Sequence, residues 1–164
     1  TRRSSSAASD VYKRQNHNSS EQIVVSGHTK AVQELIHKSA EFSIKRAVLL
    51  NVSAPFHCSL MMPAQIKLEN ELKKITFNDP DLPIICNYTA VAENNPLKLK
   101  ENIINQVTNK VRWKETMEYA LDKKINKVLE CGSGKVLSGL FKRFSKDFNV
   151  YNIETIEDLK KFEI

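Results

Sequence analysis

A short apolar run that leads through a proline to a histidine, residues 48–58, constrains this chain most. Residues 48–52 are apolar and β-branched enough to predict a buried strand. Pro55 cannot continue a β-ladder because it has no backbone N–H, so His57 is predicted to lie just past the end of that strand. In open α/β sheets ligands bind beyond the carboxyl ends of the strands. His57 is therefore a candidate catalytic residue, with a hydrogen-bonded packing role as the alternative.

The rest of the chain alternates between strand and helix patterns. Strands are predicted at residues 22–26, 46–52, 84–88, 127–131 and 149–153. Helices are predicted at residues 29–42, 61–75, 95–107, 112–121 and 134–144, with Asn95 as an N-cap, and a last short helix follows Thr155. The spacing of Thr155 and Asp158 is that of a capping box. Alternation of this kind predicts an α/β architecture with a largely parallel sheet.

The distribution of charge argues against a nucleic-acid partner. The chain has 164 residues and a formal net charge of +6, of which +3 comes from residues 1–15. The remaining basic and acidic residues are mixed, which is typical of a solvated surface and not of a concentrated phosphate-binding face. No apolar run approaches the roughly 18 residues of a membrane span, and no signal peptide is recognisable. We expect a soluble, cytoplasmic protein without a nucleic-acid or membrane partner.

The cysteines indicate neither a disulfide framework nor a metal site. Cys58, Cys86 and Cys131 are an odd number without Cys-x-x-Cys spacing, so free thiols are expected. His57 and Cys58 would be a pair of metal ligands, but no further ligands stand at a plausible spacing. We therefore predict no metal.

Four blocks in chain order resemble the malonyl-CoA:acyl-carrier-protein transacylases, which load malonyl groups for type II fatty acid synthesis. Residues 53–61 (SAPFHCSLM) resemble the histidine motif of that family, and residues 22–28 (QIVVSGH) the strand ahead of it. Residues 111–113 (VRW) resemble its Val-x-Trp block, and residues 131–140 (CGSGKVLSGL) its late glycine-lysine segment. Any one block alone is weak, but four collinear blocks across residues 16–164 are specific.

One departure from the family matters as much as the match. The family keeps its nucleophilic serine in a Gly-x-Ser-x-Gly elbow far upstream of the histidine, and no such pentapeptide occurs here. Ser133 has the wrong flanking residues for an elbow. The resemblance therefore predicts the C-terminal part of a transacylase that lacks the serine, the oxyanion-hole glutamine and the carboxylate-binding arginine, and that is inactive alone.

The resemblance also implies a domain organisation, that of a partial acyl transferase fold. Residues 16–52 would be the second half of a ferredoxin-like small subdomain, and residues 53–164 the C-terminal part of an α/β-hydrolase-like large subdomain. The family strand that lies between the two predicted strands of residues 16–52 is upstream, so both strands would have unpaired edges. Residues 1–15 are Ser- and Arg-rich and predict a disordered tail. Residues 10–15 also resemble the translation of a transposon end used in DNA library preparation, which predicts a non-native tail, with a genuine basic tail as the alternative.

For His57 the resemblance implies the role of general base. The histidine would take the proton of the serine as it attacks malonyl-CoA, return it to the leaving thiol, and serve again when the phosphopantetheine thiol of acyl-carrier protein attacks the malonyl-serine ester. Family enzymes orient this histidine through a backbone carbonyl, which by position is that of Gln106. No resident cofactor is implied, because coenzyme A belongs to the substrate and phosphopantetheine to the partner. The parent enzyme is expected to be monomeric.

Other predicted sites are Phe56 and a basic face near the C-terminus. Phe56 would favour malonyl over branched extender units by its bulk, with a core position as the alternative. Lys135, Lys142 and Arg143 would dock acidic acyl-carrier protein, with a solvated surface as the alternative. Residues 132–135 resemble a phosphate loop only superficially, because the spacing of a Walker motif is absent, and a tight turn is expected.

Two rival functions remain open from the sequence. An acyltransferase domain of a polyketide synthase would carry the same motifs, and we expect the stand-alone enzyme because no linker follows Ile164. A non-enzymatic α/β interaction module without a nucleophile is the alternative from another class.

Overall fold

The N-terminal part of the chain forms a hairpin followed by a helix. The computed structural model describes the backbone of residues 12–17 and all of residues 23–162. Strand β1 (Tyr12–His17) pairs antiparallel with β2 (Ile23–Gly27). Helix α1 (Thr29–His37) follows and passes into a 3₁₀ turn, Ser39–Phe42. The predicted strand at residues 22–26 is thus confirmed, and the predicted helix at residues 29–42 is confirmed over its first part.

The strand predicted at residues 46–52 is not formed. These residues belong to no helix or strand, and Val48, Leu49 and Val52 are 57%, 64% and 59% exposed. Residues 50–52 form a tight turn instead, in which Val52 N donates to Leu50 O at 3.0 Å. A strand needs a neighbour to pair its N–H and C=O groups, and none of the described strands runs beside this segment. Apolar, β-branched composition alone was therefore insufficient, and the second of the two strands predicted for residues 16–52 is wrong for this structure.

Part of the segment predicted to be a disordered tail is a strand. Tyr12, Lys13 and Arg14 pair with Gly27, Ser26 and Val25 respectively. The physical reason is that β2 has an edge that pairs with no other described strand, and backbone pairing at such an edge demands little of the sequence. The prediction of disorder is wrong for residues 12–15. Residues 1–11 lie outside the described residues, and a non-native origin of residues 1–15 stays a prediction.

The middle of the chain is helical, with one small hairpin. A 3₁₀ turn, Ser59–Met61, leads into helix α2 (Met62–Leu72), which has Pro63 in its first turn and ends before the predicted residue 75. The strand predicted at residues 84–88 shortens to β3 (Ile84–Ile85), which pairs antiparallel with β4 (Ala92–Glu93). Helix α3 (Pro96–Asn105) begins at the predicted cap. Asn95 Oδ1 accepts hydrogen bonds from the backbone N–H groups of Leu97 and Lys98, at 2.9 and 3.1 Å.

The C-terminal part follows the predicted alternation closely. Helix α4 is Trp113–Asp122, strand β5 is Lys127–Cys131, helix α5 is Val136–Phe144, strand β6 is Asn149–Ile153 and helix α6 is Ile156–Lys161. Strands β5 and β6 are parallel. The predicted capping box of Thr155 and Asp158 is present at the start of α6, with both of its hydrogen bonds.

The prediction of a largely parallel sheet is wrong for the part of the chain that the structure describes. Its strands form three separate two-stranded sheets, and only the β5–β6 pair is parallel. Both antiparallel pairs join strands that are close in sequence, whereas a parallel pair needs a crossover of a dozen residues or more, here provided by α5. The α/β character of the chain is nevertheless confirmed.

The core lies between α4, α5 and the β5–β6 sheet. Its buried residues are Met117, Ala120, Leu140, Phe141 and Phe148, with Trp113 packed against them. The ring of Phe141 meets those of Phe148 and Trp113 edge to face, with centroids 4.8 and 5.7 Å apart. Such pairs add to the free energy of burial. Among the described helices, none has the length and apolar character needed to cross a membrane.

Candidate active site

His57 lies in a loop whose backbone is held on both sides of the histidine. The residue is half-buried and has a φ of 60°, a left-handed conformation that is uncommon for a side chain of this size. On one side, Ser26 Oγ of β2 donates to the carbonyl oxygen of Phe56 at 2.7 Å. On the other, Cys58 is only 3% exposed, and its Sγ donates to Pro55 O at 3.1 Å. The loop therefore presents the imidazole in a defined direction.

One ring nitrogen of His57 is bound to the main chain of another element. Nδ1 lies 2.8 Å from the carbonyl oxygen of Gln106. Because a carbonyl oxygen only accepts, Nδ1 must carry the proton, and in the neutral ring Nε2 then keeps its lone pair. The hydrogen bonds among the described residues leave Nε2 uncommitted. The ring is thus arranged to accept a proton at Nε2.

The Gln106 carbonyl is available because it stands at the end of a helix. Gln106 is the C-cap of α3, and its own N–H donates to Asn102 O at 3.0 Å. The last carbonyls of a helix have no partner within the helix, so this one is free to accept from His57. The same end of the helix carries a partial negative charge. A positive charge that forms on the ring would be stabilised there.

The contact predicted between His57 and Gln106 is therefore present as geometry, while the roles assigned to the two residues stay predictions. No serine, threonine or cysteine side chain within the described ranges, residues 12–17 and 23–162, is hydrogen-bonded to the ring. The ring nitrogen that could act as a base thus faces no nucleophile in this part of the chain.

Sequence reasoning missed three residues that support the site. Ser26 binds the carbonyl next to His57, and the side chains of Gln65 and Thr108 are hydrogen-bonded to each other beside the Gln106 turn. No sequence signal could have found them, because each contact joins residues at least 30 positions apart through single polar side chains.

Phe56 precedes His57 and is 44% exposed. The buried cluster between α4, α5 and the β5–β6 sheet does not include it, and the alternative of a core position stays a prediction. Its ring is available to contact a ligand that reaches His57, and a role in selectivity stays a prediction.

The three cations predicted to dock acyl-carrier protein are exposed. Lys135 immediately precedes α5, and Lys142 and Arg143 lie in its last turn. None of the three forms an ion pair within the described part of the chain. Lys142 and Arg143 also complement the negative end of the helix dipole, so their position alone does not distinguish docking from a structural role.

The glycine-rich turn before α5 is not arranged to bind phosphate. Gly132 and Gly134 have φ values of 132° and 83°, which favour glycine, and this confirms the predicted tight turn. The first turn of α5 already has an anion, because Glu130 accepts from the N–H groups of Leu137 and Ser138 at 3.0 and 2.7 Å. The nearby Ser138 hydroxyl and these amides lower the pKa of the Glu130 carboxyl. A phosphate would meet a carboxylate there instead of free N–H groups.

Two further features of the described residues do not suggest a site. No three His, Cys, Asp or Glu side chains among them are grouped to hold a metal ion. An open concavity is lined by Tyr88, Thr89, Asn109, Lys110 and Arg112. Lys110 Nζ and Arg112 Nε lie 3.3 and 3.2 Å from Oε1 of Glu115, so the positive charge of both side chains is already partly neutralised.

Known proteins were compared with the chain as a whole. No family model matches it. It is 41% identical over 128 residues to the malonyl CoA-acyl carrier protein transacylase of Escherichia coli (strain K12), a match that covers 78% of this chain and 41% of that protein. It superposes with a TM-score of 0.88 and 37% identity on an acyl carrier protein S-malonyltransferase of Vibrio cholerae, over 93% of this chain and 50% of the other. The chain is homologous to part of the malonyl-CoA:acyl-carrier-protein transacylases.

This finding confirms the resemblance that the four sequence blocks indicated. The chain spans less than half the length of the curated relatives it matches. A further structural match is a malonyl-transacylase in complex with its type II polyketide acyl-carrier protein, at 32% identity and a TM-score of 0.87, over 93% of this chain and 49% of the other. The homologous structures share the α/β acyltransferase fold over about half their length. The division into subdomains stays a prediction.

Proposed function

We propose that this chain is the histidine-bearing, C-terminal part of an enzyme that transfers malonyl groups from malonyl-CoA to acyl-carrier protein in fatty acid synthesis. The observation that carries the proposal is the 2.8 Å contact between His57 Nδ1 and the Gln106 carbonyl, which leaves Nε2 as the basic nitrogen. The homology to transacylases over about half their length supports it. Residues 16–52 would belong to the small subdomain and residues 53–164 to the large one, in a monomeric, cytoplasmic enzyme without a resident cofactor.

The chemistry follows from the state of the ring. Nε2 of His57 takes the proton of a serine hydroxyl as its oxygen attacks the thioester carbonyl of malonyl-CoA. The C–S bond breaks, the proton passes to the leaving thiolate, and a malonyl-serine ester remains. In the second half-reaction Nε2 takes the proton of the phosphopantetheine thiol, the sulfur attacks the ester, and the serine oxygen recovers the proton. The carbonyl at Nδ1 stabilises the imidazolium in both halves, so no carboxylate partner is needed.

The experiment that tests this function uses the extended protein, which we define as the reading frame continued upstream of Asn16 in the source DNA. The source DNA must be sequenced from a library prepared without transposon ends, so that no adapter sequence enters the reading frame. We expect a Gly-x-Ser-x-Gly elbow upstream and, in the purified extended protein, transfer of malonyl from malonyl-CoA to acyl-carrier protein. Residues 16–164 alone are expected to show none. An extended protein that folds but transfers no malonyl would favour the non-catalytic interaction module.

Phe56→Ser in the extended protein is expected to relax the choice of acyl group. Removing the ring would make room for a methyl on the α-carbon, and one methyl in an apolar pocket changes discrimination by about tenfold or more. The ratio of kcat/KM for methylmalonyl-CoA to that for malonyl-CoA should rise by this factor. Phe42→Ser is a matched control, because Phe42 is 62% exposed and lies in a different segment. An unchanged ratio would assign Phe56 no part in selectivity.

Lys142→Glu together with Arg143→Glu in the extended protein is expected to weaken the use of acyl-carrier protein. Charges at the rim of an interface mainly set the rate of association, so kcat/KM for the carrier protein should fall about tenfold at low salt and less at high salt. Lys73→Glu with Lys74→Glu changes the net charge equally at another exposed site, after α2. If both double variants behave alike, the charges of α5 have no docking role.

A further inference from the structure

The carbonyl that binds His57 lies in a turn that the helix itself holds only loosely. Helix α3 ends at Asn105, and the N–H of its C-cap residue Gln106 still donates to Asn102 O at 3.0 Å. Beyond Gln106, Val107 N donates to Ile104 O at 3.3 Å, which is longer than usual for this kind of bond, and Asn109 N donates to Asn105 O at 3.2 Å, at the upper end of the usual range. The direction of the Gln106 carbonyl therefore depends on what else fixes residues 106–109.

A side-chain pair fixes this turn to α2. Thr108 Oγ1 donates to Oε1 of Gln65 at 2.5 Å, and both side chains are half-buried. Asn109 Nδ2 approaches the same Thr108 oxygen at 3.4 Å and also donates to Asn105 O at 2.8 Å. Because the amide of Asn109 approaches the hydroxyl oxygen as a donor, the hydroxyl proton is directed to Gln65. The contact joins two segments that are 43 residues apart in the chain.

Two hydrogen bonds thus connect the same two parts of the protein. His57 and Gln65 belong to the loop and the helix that follows it, while Gln106 and Thr108 belong to the turn after α3. A single bond between two segments allows one to pivot on the other, and a second bond beside it removes that freedom. We propose that Gln65 and Thr108 are positioning residues, which keep the Gln106 carbonyl on Nδ1 and thereby keep His57 in the tautomer with a free Nε2.

The importance of this pair for catalysis rests on the proposed function, but its effect on the ring can be measured without activity. In the chain with ¹⁵N-labelled histidine, long-range ¹H–¹⁵N spectra distinguish a ring protonated at Nδ1 from one protonated at Nε2. Thr108→Val removes the hydroxyl and keeps the shape. We expect the ratio of the Nδ1–H to the Nε2–H form of His57 to fall about fivefold, the equivalent of one ordinary hydrogen bond. Thr108→Ser restores the hydroxyl and should restore the ratio.

The acceptor side provides an independent pair of variants. Gln65→Met removes the acceptor, whereas Gln65→Glu keeps an oxygen there, and all three residues have similar helix propensities. The methionine variant should behave like Thr108→Val, the glutamate variant like the unaltered chain, and the double variant Gln65→Met with Thr108→Val no worse than either single one. If Thr108→Val fails to fold, the ratios measured for Gln65→Met and Gln65→Glu test the proposal on their own.

A control variant must lower the stability of the chain without touching the Gln65–Thr108 pair. It should leave the ratio of the Nδ1–H to the Nε2–H form of His57 unchanged. Thr155→Ala removes the cap of α6, lowers the stability of the chain and is remote in sequence from the pair. The proposal is overturned if Thr155→Ala shifts the ratio as Thr108→Val does, or if folded Thr108→Val and Gln65→Met keep the ratio of the unaltered chain. In the extended protein, Thr108→Val should lower kcat more than it raises KM. A shifted ratio without any transfer activity in the unaltered extended protein would contradict the proposed function and leave the positioning role intact.

Discussion

Replacing His57 with alanine in the extended protein is expected to lower the rate of malonyl transfer by about 10²- to 10⁴-fold, the range usual for a general base. The reason is that the serine would lose the basic nitrogen of the ring that the 2.8 Å contact to the Gln106 carbonyl holds in place. Release of coenzyme A and loading of acyl-carrier protein should both slow, because in the proposed mechanism Nε2 takes part in both half-reactions. Rapid-mixing assays with each substrate in turn measure the two steps separately.

His37→Ala is the matched control for this experiment. His37 is exposed on α1 and lies in another segment of the chain, so its removal should leave both steps unchanged. Equal rates for the unaltered protein and folded His57→Ala would show that another group takes the proton. Loss of only the second half-reaction would restrict the role of His57 to the transfer to acyl-carrier protein.

Replacing Phe141 with alanine is expected to lower the free energy of unfolding of the chain by about 3–5 kcal/mol. Phe141 is 7% exposed and lies at the centre of the buried cluster between α4, α5 and the parallel strands. Its ring contacts those of Trp113 and Phe148, so the substitution removes two aromatic pairs and leaves a cavity. Urea unfolding followed by the fluorescence of Trp113, the one tryptophan of the chain, measures the change.

Phe42→Ala provides the comparison at the other extreme of burial. Phe42 is 62% exposed, so the same change of residue should alter the free energy of unfolding by less than about 0.5 kcal/mol. A loss of comparable size at both positions would mean that the stability of the chain is not concentrated in the C-terminal cluster.

The C-terminal elements could be predicted from the sequence because their signals are local. Strands β5 and β6 have the predicted bounds, and α5 lies between them in the chain, as the alternation indicated. Asn95 and Thr155 cap the helices that their sequence contexts predicted. A cap is a contact between neighbours in the chain, so a few residues contain all the information that it needs.

The strand pairings could not be predicted in the same way. Residues 46–52 have the composition of a buried strand, yet they lack a neighbour among the described strands and stay exposed. Residues 12–14 have the composition of a disordered tail, yet they pair with the edge of β2. In both cases the outcome depends on which edges are available, and local composition does not encode that.

At the candidate site the resemblance indicated the pair His57 and Gln106, and the structure brings the two together. The left-handed backbone of His57 and the contacts of Ser26, Gln65 and Thr108 were not predictable. Each depends on the final packing of distant segments, which is known only once the chain is folded. The supporting residues of a site are therefore harder to find from a sequence than its principal residue.

The state of the His57 ring in the chain itself tests the central claim most directly. Long-range ¹H–¹⁵N spectra of the ¹⁵N-histidine chain, recorded at a pH where the ring is neutral, show which nitrogen carries the proton. We predict that Nδ1 is protonated and Nε2 is bare, as the contact to the Gln106 carbonyl requires. A ring protonated mainly at Nε2 would contradict the account, because that nitrogen could then not accept the proton of a serine.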